Sequence, residues 1–180
     1  MEPFKVLPRE EVSIKNQGLY DNLRAGLGVV PNLYTVLAHS ENALEAYINL
    51  ENAPTSLSTK EVEVVNLVVS QSNDCIYCLS AHSVIAKNAG FSGDEIIGFR
   101  KGHSKTDVKL DNLARFTKSL TERNGHVPRS LLEAFFDAGY SKENLVDVIM
   151  LIGDRTISNI LHAVTKVPVD FPLAAELTAD

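Results

Sequence analysis

The residues that could do chemistry lie in one stretch: Glu63, eleven residues, then Cys75-Ile76-Tyr77-Cys78-Leu79-Ser80-Ala81-His82. Asn73 and Asp74 are both good N-cap residues, so a helix is expected to begin at Cys75 and run to Gly90. On that helix Cys75 and Cys78 are three apart, and Cys78 and His82 four apart, so all three share a face. Thiolate is the nucleophilic form of cysteine, and a free thiol ionises near about 8.5. The positive end of the helix dipole favours charge on Cys75, by up to about 2 kcal/mol. His82, one turn beyond Cys78, favours Cys78: a well-placed base is worth about 3–5 kcal/mol of barrier. A chain reversal near Ser72 to Asp74 would bring Glu63, on the preceding helix, toward His82. A carboxylate there would fix the imidazole tautomer and raise its basicity.

The same residues admit other uses. The cysteines could be a structural pair, the switch of a non-catalytic redox-sensing module, or half of a zinc site completed by His82 and one of His103, His126 or His162. No second ligand pair at metal spacing exists, which weighs against zinc. Glu63 could face solvent beside Lys60, although a carboxylate inside an apolar run is unusual unless paired.

At these positions the chain resembles the alkylhydroperoxidase D-like proteins of the carboxymuconolactone decarboxylase superfamily, whose signature is Glu-x11-Cys-x-x-Cys-x3-His. Glu63, Cys75, Cys78 and His82 each fall on it. Val30-Pro31-Asn32 and Val169-Asp170-Phe171-Pro172 look like segments of its peroxidase-related branch, so the likeness runs from about Gly28 to Pro172. The resemblance implies an all-α alkylhydroperoxidase D-like bundle assembled into dimers or hexamers. It implies reduction of hydrogen peroxide or organic hydroperoxides through a Cys-x-x-Cys disulfide cycle, with electrons from a thiol or protein reductant. By the same resemblance Cys78 is the peroxidatic thiol, Cys75 resolves it, and His82 and Glu63 relay protons, with neither cofactor nor metal. The decarboxylase branch is not defined by a Cys-x-x-Cys pair, so the intact pair argues against a lyase. One position departs: the best-known members place a second histidine between the cysteines, where this chain has Tyr77. Tyrosine is no base near neutral pH; it could donate a hydrogen bond or pack.

The elements that must position these residues read as helices. Ser58-Thr59-Lys60-Glu61 and Ser92-Gly93-Asp94-Glu95 are capping-box signals, the second opening a helix that stops near Gly102. Leu44, Tyr47 and Ile48 follow Ser40, a candidate N-cap. Leu110, Leu113, Thr117 and Leu120 form a stripe at helical spacing, as do Leu131, Leu132, Phe135 and Phe136 before Gly139. Ser141 opens the longest stripe, from Leu145 to Val164, and Pro168 and Pro172 bar its continuation. Val62 to Ser70 is rich in β-branched residues and could be a lone strand, but its capping box favours helix. Gly18, Gly26 and Gly28 weaken any helix in the first 30 residues, which are expected to be a loosely attached arm of a single domain spanning 1–180. Asp154, Arg155, Asn159 and His162 lie mid-way along the last helix and need partners if buried. His39, His103 and His126 are expected at the surface or in loops.

The rest of the sequence narrows the class. With 180 residues and 44% apolar content the chain can bury a core, so disorder is not expected. A net charge of −6 and no basic run argue against nucleic acid. No apolar stretch is long enough for a membrane span, and the N-terminus lacks a signal-peptide pattern, so a reducing cytoplasm is expected. There, two close cysteines suggest metal or redox chemistry before structural bridging.

Overall fold

Ser58 and Glu61 close a capping box: the Ser58 hydroxyl accepts the Glu61 N–H, and the Glu61 carboxylate accepts the Ser58 N–H at 2.8 Å. The helix they open sits at the centre of the fold. The structure, a computed structural model, describes residues 4–177, and among them are nine α-helices and no strand. They are α1 Ile14–Leu27, α2 Asn32–Leu37, α3 Ala43–Glu51, α4 Thr59–Ser72, α5 Ile76–Asn88, α6 Gly93–Lys101, α7 Val108–Glu122, α8 Arg129–Asp137 and α9 Lys142–Thr165. Nine residues of α4 between Glu61 and Ser70 are buried, the pattern of a helix enclosed all round. Helices α5, α6, α7 and α9 enclose it. Its run of valines is helical because burial outweighs β-propensity: each buried Val or Leu contributes about 1.5–3 kcal/mol, whereas intrinsic preferences differ by at most about 0.7 kcal/mol per ordinary residue.

Asn73 and Asp74 belong to the end of α4, not to the start of α5. Asp74 takes the left-handed conformation (φ 51°), its N–H donates to the Gln71 carbonyl, and the Cys75 N–H donates to the Ser70 carbonyl at 2.9 Å. This is a Schellman closure with Asp in place of the usual glycine. The reversal lays α5 back along α4, and the N-cap of α5 is Cys75 itself, whose sulfur accepts the Cys78 N–H. The helix then ends at Asn88 rather than Gly90.

The N-terminal segment also differs from expectation. Ser13 caps α1, Gly18 and Gly26 lie within it, and Gly28 closes it at φ 79°. The Asn16 side chain is fully buried and donates to the carbonyls of Ala38 and Ser40. Tyr20 and Val12 join an apolar cluster with Leu37, Leu44 and Tyr47. Docking of one face offsets the glycine cost of about 1 kcal/mol each. Helix α3 starts later than the sequence suggests, with Asn42 as N-cap, while the Ser40 hydroxyl still accepts the Ala43 N–H.

Beyond α9, residues from Lys166 to Ala175 form a strap over α5. The Ala174 N–H donates to the Ser80 hydroxyl at 3.0 Å, and Arg100 reaches the Ala175 carbonyl at 2.6 Å and Gln71 at 2.9 Å. His39 and His126 are exposed and His103 is half-buried. No helix among the described residues is long and apolar enough to cross a membrane.

Candidate active site

Helix α5 delivers Cys75 at its N-cap, Cys78 one turn on, and His82 one turn further. Helix α4 delivers Glu63, and the reversal at Asp74 places it against α5. The His82 Nδ1 lies 2.9 Å from Glu63 Oε2, and both side chains are buried. With Nδ1–H donated to the carboxylate, Nε2 is the free basic nitrogen. The other carboxylate oxygen accepts from Asn66 Nδ2 at 3.1 Å. Burial pushes the Glu63 carboxyl up, but His82, Asn66 and Arg155 together outweigh it and hold it below its ordinary value. The solvent-facing reading of Glu63 therefore does not hold.

The two sulfurs are 2.7 Å apart, inside van der Waals contact, with the Cys75 thiol donating to Cys78. Each cysteine is 2% exposed. The shared proton separates the two thiols. Donation to Cys78, reinforced by burial, raises Cys75 far above an ordinary thiol. The bond received from Cys75 lowers Cys78; Arg155, His82 and Ser158 add to this and overcome the opposing effect of burial. Charge therefore settles on Cys78, although the Cys78 N–H at the helix start points to Cys75.

Helix α9 supplies the remaining wall, and here the sequence left most unsaid. Arg155, 5% exposed, donates to Asn66 Oδ1 at 3.2 Å, to Asp154 at 2.9 Å, to Glu51 at 3.3 Å and to Ser158 Oγ at 3.4 Å. Ser158 Oγ is 3.7 Å from the Cys78 sulfur. Asn159 accepts from Asn73 at 2.9 Å, and its amide favours a charged sulfur at Cys75. Burial raises the Asp154 carboxyl against the opposing pull of Arg155. Of the four polar α9 residues flagged in the sequence, Asp154, Arg155 and Asn159 thus reach this network. His162 does not: its ring lies against Tyr77, 5.4 Å between centroids, and burial lowers its pKa. Asn66 and Ser158 were missed. Their signal is a polar residue three positions from another polar residue inside an apolar stripe, Glu63 to Asn66 and Arg155 to Ser158.

Tyr77, between the two cysteines, is buried. Its hydroxyl accepts the Leu33 N–H at 3.1 Å, and its ring meets Phe171 edge-on. Burial, with Asp170 close by, pushes the phenol far above neutral pH. Leu33, Val36 and Val167 complete an apolar wall around the cysteines. Among the described residues no cluster of three or more His, Cys, Asp or Glu side chains has the geometry to hold a metal ion.

Known proteins resemble the chain in part of its sequence and in its fold. Residues 38–101, a span that includes Glu63, Cys75, Cys78 and His82, match the carboxymuconolactone decarboxylase family. No curated protein matches the chain. Among solved structures, an uncharacterized peroxidase-related protein from Ralstonia eutropha JMP134, described as an alkylhydroperoxidase AhpD core, superposes with a TM-score of 0.83 at 17% identity, covering 93% of this chain and 92% of that one. A peroxidase-related protein from Silicibacter sp. TM1040 gives 0.78 at 21% identity, over 93% and 94%. The debrominase Bmp8, in complex with 2,3,4-tribromopyrrole, gives 0.78 at 14% identity, over 94% of each chain. At these identities the likeness is one of fold.

Proposed function

We propose that this chain, which carries a carboxymuconolactone decarboxylase family segment on an alkylhydroperoxidase D-like fold, is a thiol peroxidase. One observation carries the reading: two free cysteine sulfurs 2.7 Å apart beside an imidazole that a buried carboxylate orients. Two sulfurs at that separation need little movement to reach the roughly 2.05 Å of a disulfide.

The chemistry follows from the protonation states. The Cys78 thiolate attacks a peroxide oxygen and the O–O bond breaks. The departing alkoxide or hydroxide takes a proton through His82, leaving Cys78 as a sulfenic acid. Cys75 then gives up its proton and attacks the Cys78 sulfur. The S–O bond breaks, water leaves with that proton, and the disulfide forms. Two electrons from an external thiol or protein reductant restore the pair. Glu63 holds the His82 tautomer throughout and steadies the imidazolium when it forms.

Reduced protein mixed with one equivalent of hydrogen peroxide or cumene hydroperoxide is expected to lose two thiols and two mass units, with Cys75 linked to Cys78 in the peptide map. Persistence of both thiols at excess peroxide would sink the reading. The apolar wall of Leu33, Val36 and Val167 favours one further electrophile, a halogenated aromatic ring like the ligand of Bmp8. There two thiols would convert C–Br to C–H, releasing HBr and forming the same disulfide. Running a bromopyrrole beside the hydroperoxides, with bromide release as readout, ranks the two.

A further inference from the structure

Arg155 is buried on α9 at the point where α3, α4 and α5 meet it, and its fork is shared among four side chains. Two of these partners lead to the sulfur chemistry. Through Ser158 Oγ it reaches the Cys78 sulfur, by steps of 3.4 Å and 3.7 Å. Through Asn66 it reaches the Glu63 carboxylate, by steps of 3.2 Å and 3.1 Å. Asn66 presents its carbonyl to the guanidinium, which fixes the amide so that its N–H groups face Glu63. One cation thus touches both ends of the Cys78–His82–Glu63 array without contacting a reacting atom.

The Ser158 hydroxyl is the movable part. It accepts from Arg155 and from the Cys78 thiol, and its own proton goes to the Arg155 carbonyl at 2.9 Å. When Cys78 carries charge, a rotation about the Cβ–Oγ bond turns that proton to the sulfur. The guanidinium polarises the hydroxyl and cannot lose its own charge. In a dry interior such a fixed charge acts far more strongly than in water.

We infer that Arg155 is a positioning residue of the thiol cycle, holding charge on the Cys78 sulfur through Ser158 and aiming the Glu63 carboxylate through Asn66. The inference rests on the thiol reading above. The groups that face Cys78 define what a pH profile reports. Cys75, Tyr77 and His82 come from its own helix, Glu63 from α4, and Arg155 with Asp154 from α9. From α3, Glu51 compensates the guanidinium charge. Arg155 carries a permanent charge that acts on this sulfur.

The experiment measures alkylation of Cys78 by iodoacetamide against pH in the reduced full chain, located by peptide mass spectrometry, beside peroxide consumption. Ser158→Ala keeps every charge and removes only the relay hydroxyl, so it tests the inference even if Arg155→Met fails to fold. Ser158→Ala is expected to move the inflection upward, and a shift of about one pH unit means a ~tenfold slower reaction below it. Arg155→Lys, which restores charge but not the fork, is expected to shift it less than Arg155→Met does. Unmoved profiles in Ser158→Ala and Arg155→Lys would overturn the inference, leaving the peroxidase reading intact if peroxide is still consumed. Shifted profiles in a protein whose wild type consumes no peroxide would sustain the inference and remove the peroxidase reading.

Discussion

The Asn32 backbone N–H donates to the Asp170 carboxylate at 2.8 Å, joining two segments 138 residues apart in the chain. The Asn32 side chain adds a bond to the Pro168 carbonyl at 3.0 Å, and Tyr77, from between the cysteines, bonds Leu33 and packs on Phe171. The start of α2 and the strap are thereby tied together over the sulfur pair. The segments Val30-Pro31-Asn32 and Val169-Asp170-Phe171-Pro172, singled out in the sequence, are the two halves of this cover.

Each cysteine is only 2% exposed beneath this cover, so loosening it is expected to open access to them. Asp170→Ala removes the acceptor of Asn32, and Phe171→Ala removes a ring that packs on Tyr77. Both are expected to speed alkylation of the cysteines several-fold with the helical circular dichroism unchanged. Rates equal to wild type in both variants would mean that reagents arrive by another route.

Tyr77→Phe separates structure from relay. It leaves the Leu33 N–H without its acceptor, at a cost of about 1–3 kcal/mol. For a chain of this size each kcal/mol lowers Tm by about 2–4 °C. The phenol stays neutral at working pH, so the pH profile of Cys78 alkylation is expected to stay in place. A profile displaced by a full pH unit would put Tyr77 into the relay.

Much of this architecture is legible locally. The capping boxes at Ser58 and Ser92 are contained within four residues each, and they form as written. The approach of Glu63 to His82 follows from one reversal and helical spacing. The misplaced start of α5 has a definite cause. Asn and Asp serve both as N-caps and as left-handed closing residues, and Asp74 was needed to end α4. What spacing does not carry is the α9 wall. Arg155 meets Asn66 across 89 positions, and Cys78 meets Ser158 across 80. Their polarity inside apolar stripes announces a partner without naming it. The N-terminal helix shows the same limit: its glycines are visible locally, whereas the buried bonds of Asn16 that dock it are not.

Glu63→Gln keeps the shape of the side chain and removes its charge. Loss of general-base assistance is expected to slow thiol oxidation by about 10²–10⁴-fold. The wild-type carboxyl is depressed in the folded state, so its contribution to stability is present above the unfolded value of about 4.3 and is lost as pH falls through the folded value. The stability gap between wild type and Glu63→Gln is therefore expected to shrink as pH drops below about 4. An unchanged oxidation rate in a folded variant would take Glu63 out of the relay.

Helix α9 bears a second face that no other described residue covers. Val146, Met150, Ile157, Ile160 and Val164 are exposed at spacings of three, four and seven, with exposed Gly153 completing the row. The row is about 27 Å long at 1.5 Å per residue. An uninterrupted apolar strip of that length marks an interface. A second copy of the chain, crossing at Gly153 where no side chain holds the backbones apart, is the occupant expected for it. Sedimentation at micromolar concentration is expected to show a dimer or higher species for wild type, and monomer for Ile157→Glu combined with Ile160→Glu. A wild-type monomer at that concentration would leave the strip without this role.

The shared proton is expected to decide the order in which the sulfurs react. Helix-dipole reasoning favours Cys75, since it caps α5 and accepts the Cys78 N–H. Against a dipole of up to about 2 kcal/mol stand Arg155, His82, Ser158 and the bond donated by Cys75 itself, and all of these favour charge on Cys78. Cys75 is left as a protonated thiol, which suits the resolving step because it becomes nucleophilic only after giving up its proton. Cys75→Ser keeps a donor to Cys78 and removes the resolving sulfur. Peroxide is then expected to leave Cys78 as a stable sulfenic acid, captured by dimedone and located by mass spectrometry. Cys78→Ser, with the high-lying thiol alone, is expected to react at least tenfold more slowly at pH 7. A dimedone adduct on Cys75 of Cys78→Ser, formed at the wild-type rate, would invert the two roles and show that the helix N-terminus governs this pair.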